Sequence, residues 1–142
     1  MSGTAGRTLE ATRAVDVPVI EFVSPLPGFP GERRFVLVRL DDAGVLFALT
    51  SVEDPELRFL VVPPVPFFPD YAPEVDEETL RALSVRDAEG LLVLLVVTAG
   101  ETAQESTANL MAPIILHEET RRAVQLVLTG SGLPVRAALM SE

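Results

Sequence analysis

Residues 91–97, Leu-Leu-Val-Leu-Leu-Val-Val, are the longest apolar run in the chain. The run is far too short to cross a bilayer, which takes about 20 apolar residues in a helix. Its Val content and the lack of a polar face predict a central strand over residues 91–98, buried on both sides. A strand of that kind needs partners along both edges, so the rest of the chain has to supply a sheet.

It does so in short pieces. Residues 19–23 alternate as Val-Ile-Glu-Phe-Val, a strand pattern. Residues 34–40 and 45–49 flank Asp41-Asp42-Ala43-Gly44, which reads as a hairpin with a Gly-containing turn. Residues 58–62 form another strand. Pro63, Pro64, Pro66 and Pro69 then follow, and because Pro cannot donate a ladder hydrogen bond this stretch must be an edge or an irregular crossing. Residues 108–116 and 122–128 read as two further strands joined at His117-Glu118-Glu119-Thr120-Arg121. The best helix lies over residues 76–83, with Asp76 as cap, Glu77 and Glu78 in the anion-favouring first turn, and Leu80 and Leu83 facing inward. Seven short strands with turn signals between them predict a mainly all-β fold, an antiparallel barrel-like single domain with one or two short helices. Residues 1–8 read as a flexible lead-in, 9–134 as the domain, and 135–142 as a tail that is either a helical turn or disordered.

Charge narrows the partners. The 21 acidic residues outnumber 11 basic ones, all of them Arg, giving a net charge of -10. Direct nucleic-acid binding needs cations that displace counterions from phosphates, and this chain would repel nucleic acid and anionic membranes alike. The charge suits a basic protein partner, and it equally serves solubility alone. The absence of Cys excludes disulfides, thiolate catalysis and zinc–thiolate sites. It fits a cytoplasmic location, as does the lack of a continuous apolar segment in residues 1–14 that would read as a secretory signal.

Nothing in the pattern marks an enzyme. His117 is the single histidine, and no Ser lies in a Gly-x-Ser-x-Gly setting, so His117 reads as an exposed turn residue. Asp41-Asp42 fits a hairpin turn and Asp76-Glu77-Glu78 a helix start, and neither has the spacing of a divalent-metal loop. No catalytic residue, cofactor or metal is predicted. The block Phe67-Phe68-Pro69-Asp70-Tyr71 stands out because it holds the single Tyr and precedes an acidic stretch. Strand alternation would turn one Phe inward and leave the other as a binding anchor. The seven acids between residues 70 and 89 are either a solvated face or a partner surface, and composition does not separate the two.

Three blocks, Leu26-Pro27-Gly28-Phe29, Phe67-Phe68-Pro69-Asp70-Tyr71 and Thr107-Ala108-Asn109-Leu110-Met111-Ala112-Pro113-Ile114, occur in this order with Phe35-Val36-Leu37, Ser51-Val52, Phe59 and Gln125 between and after them. Together they resemble the flagellar assembly factor FliW family over residues 19–128. The resemblance implies an all-β, barrel-like cytoplasmic protein without enzymatic activity. Such a protein binds flagellin as a chaperone-like partner, and it binds and antagonises the RNA-binding translational regulator CsrA, coupling flagellin level to flagellin translation. Phe68, Asp70, Tyr71 and Asn109 are the candidate protein-binding surface that it implies, with Leu26, Phe29 and Leu110 assigned to packing. The competing reading is a small β-barrel ligand binder or enzyme using an apolar pocket with carboxylates.

Overall fold

The computed structural model describes residues 19–24, 26 and 31–139. The predicted lead-in and Phe29 therefore lie outside the described residues. The elements are β1 (Ile20–Phe22), β2 (Arg34–Arg39), β3 (Phe47–Ser51), β4 (Arg58–Val62), α1 (Glu77–Ala82), β5 (Leu91–Thr98), β6 (Thr107–Ala108), β7 (Ile114–His117), β8 (Arg122–Gln125) and β9 (Ala137–Ala138). Strands β5, β4, β3, β2, β1, β8 and β7 follow one another around a ring, and β7 pairs back onto β5 to close it. Among the described residues every pairing is antiparallel except β1 with β8, where Glu21 and Phe22 lie opposite Arg122 and Ala123. The closed ring has no free sheet edge of its own, which removes the hazard that an open edge of apolar strands would carry.

Alternation along the strands sorts side chains into two cores. Phe22, Phe35, Leu49, Val61, Leu94, Ile114 and Leu116 fill the barrel. Phe35 meets Phe22 edge-on, with ring centroids 5.4 Å apart at 74°, and lies 6.2 Å from Phe59. The next residues along β4 and β5, Val62 and Leu95, face the other way and join Ala108 and Leu110 in a second cluster on the outer wall. Phe67, Phe68, Tyr71, Leu133 and Leu139 pack over it. So β5 is buried on both faces through its middle, as predicted. Leu92, which shares the inward alternation of Leu94, is 40% exposed because it lies at the open mouth of the barrel beside Ile20, Leu37 and Leu116.

Local signals explain the turns. Asp41 Oδ1 accepts from the backbone N–H groups of Gly44, Val45 and Leu46 at 3.1, 3.1 and 3.2 Å, so the hairpin carboxylate organises the β2–β3 turn. Asp76 caps α1 by accepting from Thr79 N at 2.9 Å, and Leu83 just past the helix is fully buried, whereas Leu80 is half-buried. Hydrogen bonding to Thr79 also holds the Asp76 carboxyl below the ordinary carboxylate range.

Two expectations are corrected. Residues 108–116 are not one strand: β6 and β7 run along the same edge of β5, opposite Val97–Thr98 and Leu91–Leu94 respectively, and residues 109–113 bulge out between them. Asn109 Oδ1 holds the bulge by accepting from Met111 N and Ala112 N at 2.9 and 3.1 Å, and Pro113 has no N–H to offer a ladder. The tail is neither helical nor loose as far as residue 139. Ala137 and Ala138 form β9 opposite Ala108 and Thr107, and Leu110 N donates to Pro134 O at 3.0 Å. Ala137 and Leu139 of the tail pack on the outer cluster beside Leu133, which supplies the reason.

Phe35 is fully buried at the centre of the barrel aromatics. Phe35→Ala should lower unfolding free energy by about 3–5 kcal/mol, read from urea denaturation; a loss under about 1 kcal/mol would show that the barrel interior collapses around the gap.

Candidate functional site

At the start of β5 the barrel rim carries an acidic basin. Residues 84–90, which follow α1, meet the β7–β8 turn there around a depression of about 650 Å3 bordered by Asp87, Glu89, Glu118 and Glu119, with Arg86 among them. The four carboxylate side chains are exposed. The acids of the 70–89 stretch are exposed as well, and the fold adds Glu118 and Glu119 to them from a separate segment.

His117 lies in the floor of this basin, and here the exposed-turn expectation is wrong. It ends β7 with only 7% of its surface exposed. Nδ1 accepts from Glu119 N and Thr120 N, both at 3.2 Å, which leaves Nε2 to donate to Glu89 O at 3.1 Å. Both ring nitrogens are thus committed to backbone, and the imidazole ties the 84–90 segment to the hairpin. Gly90 is required beside it. Its φ is +83°, and a Cβ there would sit 3.0 Å from His117 Nε2. Thr120 Oγ1 adds a bond to Leu83 O at 3.2 Å, fastening the end of the helix to the same turn. Among the described residues no group of three or more His, Asp and Glu comes together in a way that could hold a metal ion.

The other end of β5 gathers the blocks that stood out in the sequence. Residues 64–71 are not a strand. Phe67 N and Phe68 N both donate to Pro64 O, at 2.9 and 2.6 Å, so the backbone turns and both rings come down on the outer cluster. The expected division into one inward and one outward Phe fails for that reason. Tyr71 packs on the same cluster, and its hydroxyl donates to Leu110 O at 2.6 Å, joining the Phe67–Tyr71 and Asn109–Leu110 blocks directly. Burial pushes the Tyr71 phenol up from 10.0 to about 12. Asn109 organises the bulge, and Asp70 is exposed. Leu26, buried in the barrel core, borders a small cavity with Asn109, so this residue of the first block reaches the place too. The same cavity is bordered by Gln125 and Val127, residues that lay in a predicted strand and carried no separate signal of a site.

Comparison with known proteins decides the family. The model of the FliW protein family matches residues 7–139. The chain belongs to the FliW family. The match extends beyond the 19–128 region on which the sequence resemblance rested, at both ends, and takes in β9. The chain is 38% identical over 131 residues to the flagellar assembly factor FliW of Bacillus licheniformis, covering 92% of each chain. It is 36% identical over 124 residues to that of Bacillus subtilis, covering 87% of each. A crystal structure of the flagellar assembly factor FliW superposes with a TM-score of 0.81 at 30% identity, over 87% of this chain and 86% of that one. The family is one of flagellar assembly factors with a barrel fold, and no helix among the described residues is long and apolar enough to cross a membrane.

The single Tyr makes one electrostatic prediction clean. A spectrophotometric pH titration of the folded protein should find Tyr71 ionising near 12 rather than at 10.0. The raised value favours the neutral phenol in the folded state. Its contribution to stability is therefore full below 10.0 and is lost as pH climbs through about 12. Ionisation at the ordinary value would mean that Tyr71 does not stay packed against Leu110. Loss of the hydroxyl in Tyr71→Phe should cost about 1 kcal/mol of folding stability, measured by denaturant unfolding.

Proposed function

We propose that this protein is a flagellar assembly factor that binds flagellin as a chaperone-like partner and binds and antagonises a CsrA-type RNA-binding regulator, so that flagellin level feeds back on its translation. The observation that carries the reading is family membership across nearly the whole chain, at lengths that match those of the relatives. Mechanism follows from surfaces rather than from chemistry. The acidic basin at the start of β5 is a docking face for a basic partner, because its carboxylates come from two segments that His117 and Thr120 hold together. A regulator bound there would find RNA repelled by the net charge of -10. The opposite end, where Phe68, Tyr71 and Asn109 gather, offers a rigid apolar and amide surface for a second partner.

The competing reading, a ligand binder or enzyme, would need apolar walls and carboxylates in one pocket. Hollows that combine the two lie at Glu74 and Asp76 beside Leu126, Leu128 and Leu133, and at Asp41 beside Leu46, Leu60 and Val62. There Asp76 is engaged in capping α1 and Asp41 in holding the β2–β3 turn, and in the acidic basin both ring nitrogens of His117 are engaged. The reading as a binding protein is therefore the better supported.

Purified protein should retain the host's flagellin saturably in a pull-down and lose it when the C-terminal segment of flagellin is deleted; no retention of intact flagellin would overturn the proposal. For the regulator, charge reversal by Glu118→Arg with Glu119→Arg should weaken binding about tenfold or more, equivalent to ~1.4 kcal/mol. The affinity of the unaltered pair should fall as salt rises. Titration calorimetry across a salt series checks both, and an affinity indifferent to salt and to the reversal would remove the basin from the interface.

A further inference from the structure

The cavity at the end of β5 has a volume of about 350 Å3, with Leu26, Phe59, Val96 and Ile114 among its walls. Two side-chain amides, Asn109 and Gln125, also line it. Each amide is half used. Asn109 Oδ1 accepts from Met111 N and Ala112 N, and Gln125 Nε2 donates to Ala112 O at 3.1 Å. These bonds determine which way round each amide lies, since only oxygen can accept from a backbone N–H and only nitrogen can donate to a carbonyl. What is left over is Asn109 Nδ2, a donor, and Gln125 Oε1, an acceptor, and neither has a hydrogen-bond partner among the described residues. Both amides are anchored on one residue, Ala112, so the free donor and free acceptor belong to one stiff unit. Val127, 51% exposed, adds an apolar lip.

A peptide unit carries one carbonyl acceptor and one N–H donor. An unused donor and an unused acceptor beside an uncharged apolar hollow match one peptide unit together with an adjoining apolar side chain. A charged segment finds no counter-charge there among the described residues, none of which is ionisable at this cavity. We infer that this cavity receives an apolar side chain from an extended, uncharged segment of a protein partner, with Asn109 Nδ2 donating to the segment's backbone carbonyl and Gln125 Oε1 accepting from its backbone N–H. The inference rests on the reading of this protein as one that binds protein partners. It separates this site from the acidic basin, which lies on the order of 16 Å away along β5 at about 3.3 Å per residue.

The test uses the full chain. Asn109 is the only Asn, and Gln125 is one of two Gln, so their side-chain NH2 signals can be followed in a nitrogen-15 NMR titration with flagellin. Both should shift on binding. Val127→Arg, at the exposed rim, should lower flagellin affinity at least tenfold while the unfolding midpoint stays unchanged. Flagellin that binds Val127→Arg as it binds the unaltered protein, or that leaves the two side-chain signals unmoved, overturns this inference and leaves the proposed function standing. If intact flagellin does not bind at all, the proposed function fails instead, and N-acetyl-leucine methylamide decides the site. Shifts of the Asn109 and Gln125 signals with that probe, lost in Val127→Arg, support it, and their absence overturns it.

Discussion

One edge of β5 has to satisfy two strands. Its first half pairs with β7, which closes the barrel, and its last two residues pair with β6, which carries the chain onto the outer wall. The backbone between those two pairings cannot stay in a ladder, because residues 109–113 are more than β5 can match over Leu95 and Val96. Asn109 takes up the excess by turning it into a hydrogen-bonded bulge, and Leu126 N and Leu128 N then pair with Pro113 O and Met111 O on the bulge itself. Barrel closure, the end of β8 and the seat of β9 all follow from that division.

The division also sets the two surfaces apart. Near Leu91 the β7–β8 turn brings Glu118 and Glu119 up to Asp87 and Glu89, with His117 as the tie between the segments. Near Val96 the bulge presents Asn109 and meets Tyr71 from the Pro-rich crossing. One end is charged, and the other is apolar with amides. Unlike chemistry at the two ends means that a molecule suited to one finds little at the other.

Much of this was legible in the chain. Asp41 and Gly44 specify a hairpin turn by local hydrogen bonding, Asp76 caps its helix within four residues, and strands β4 and β5 stand where their apolar runs stand. The candidate surface was legible only in part. Phe68, Tyr71 and Asn109 do gather in one region, but Phe68 and Tyr71 lie on a buried cluster and Asn109 serves the backbone, so each carries structure as well as any contact. Gln125 counted toward the family resemblance but not toward the site, because a half-used amide is visible only once its partner, Ala112, is in place.

The sequence by itself determined the local elements, the all-β class, the acidic charge and the family resemblance, because periodicity, turn chemistry and residue order act over short spans of chain. Tertiary structure alone decided that residues 108–116 break in two, that His117 is buried, and that residues 137–138 join the sheet. Each of these depends on a partner distant in sequence: the shared edge of β5, the carbonyl of Glu89, and the ladder of β6 with the outer cluster beneath it. No local pattern encodes those partners, because what selects them is the competition of whole strands for one set of backbone hydrogen bonds and one pair of apolar cores.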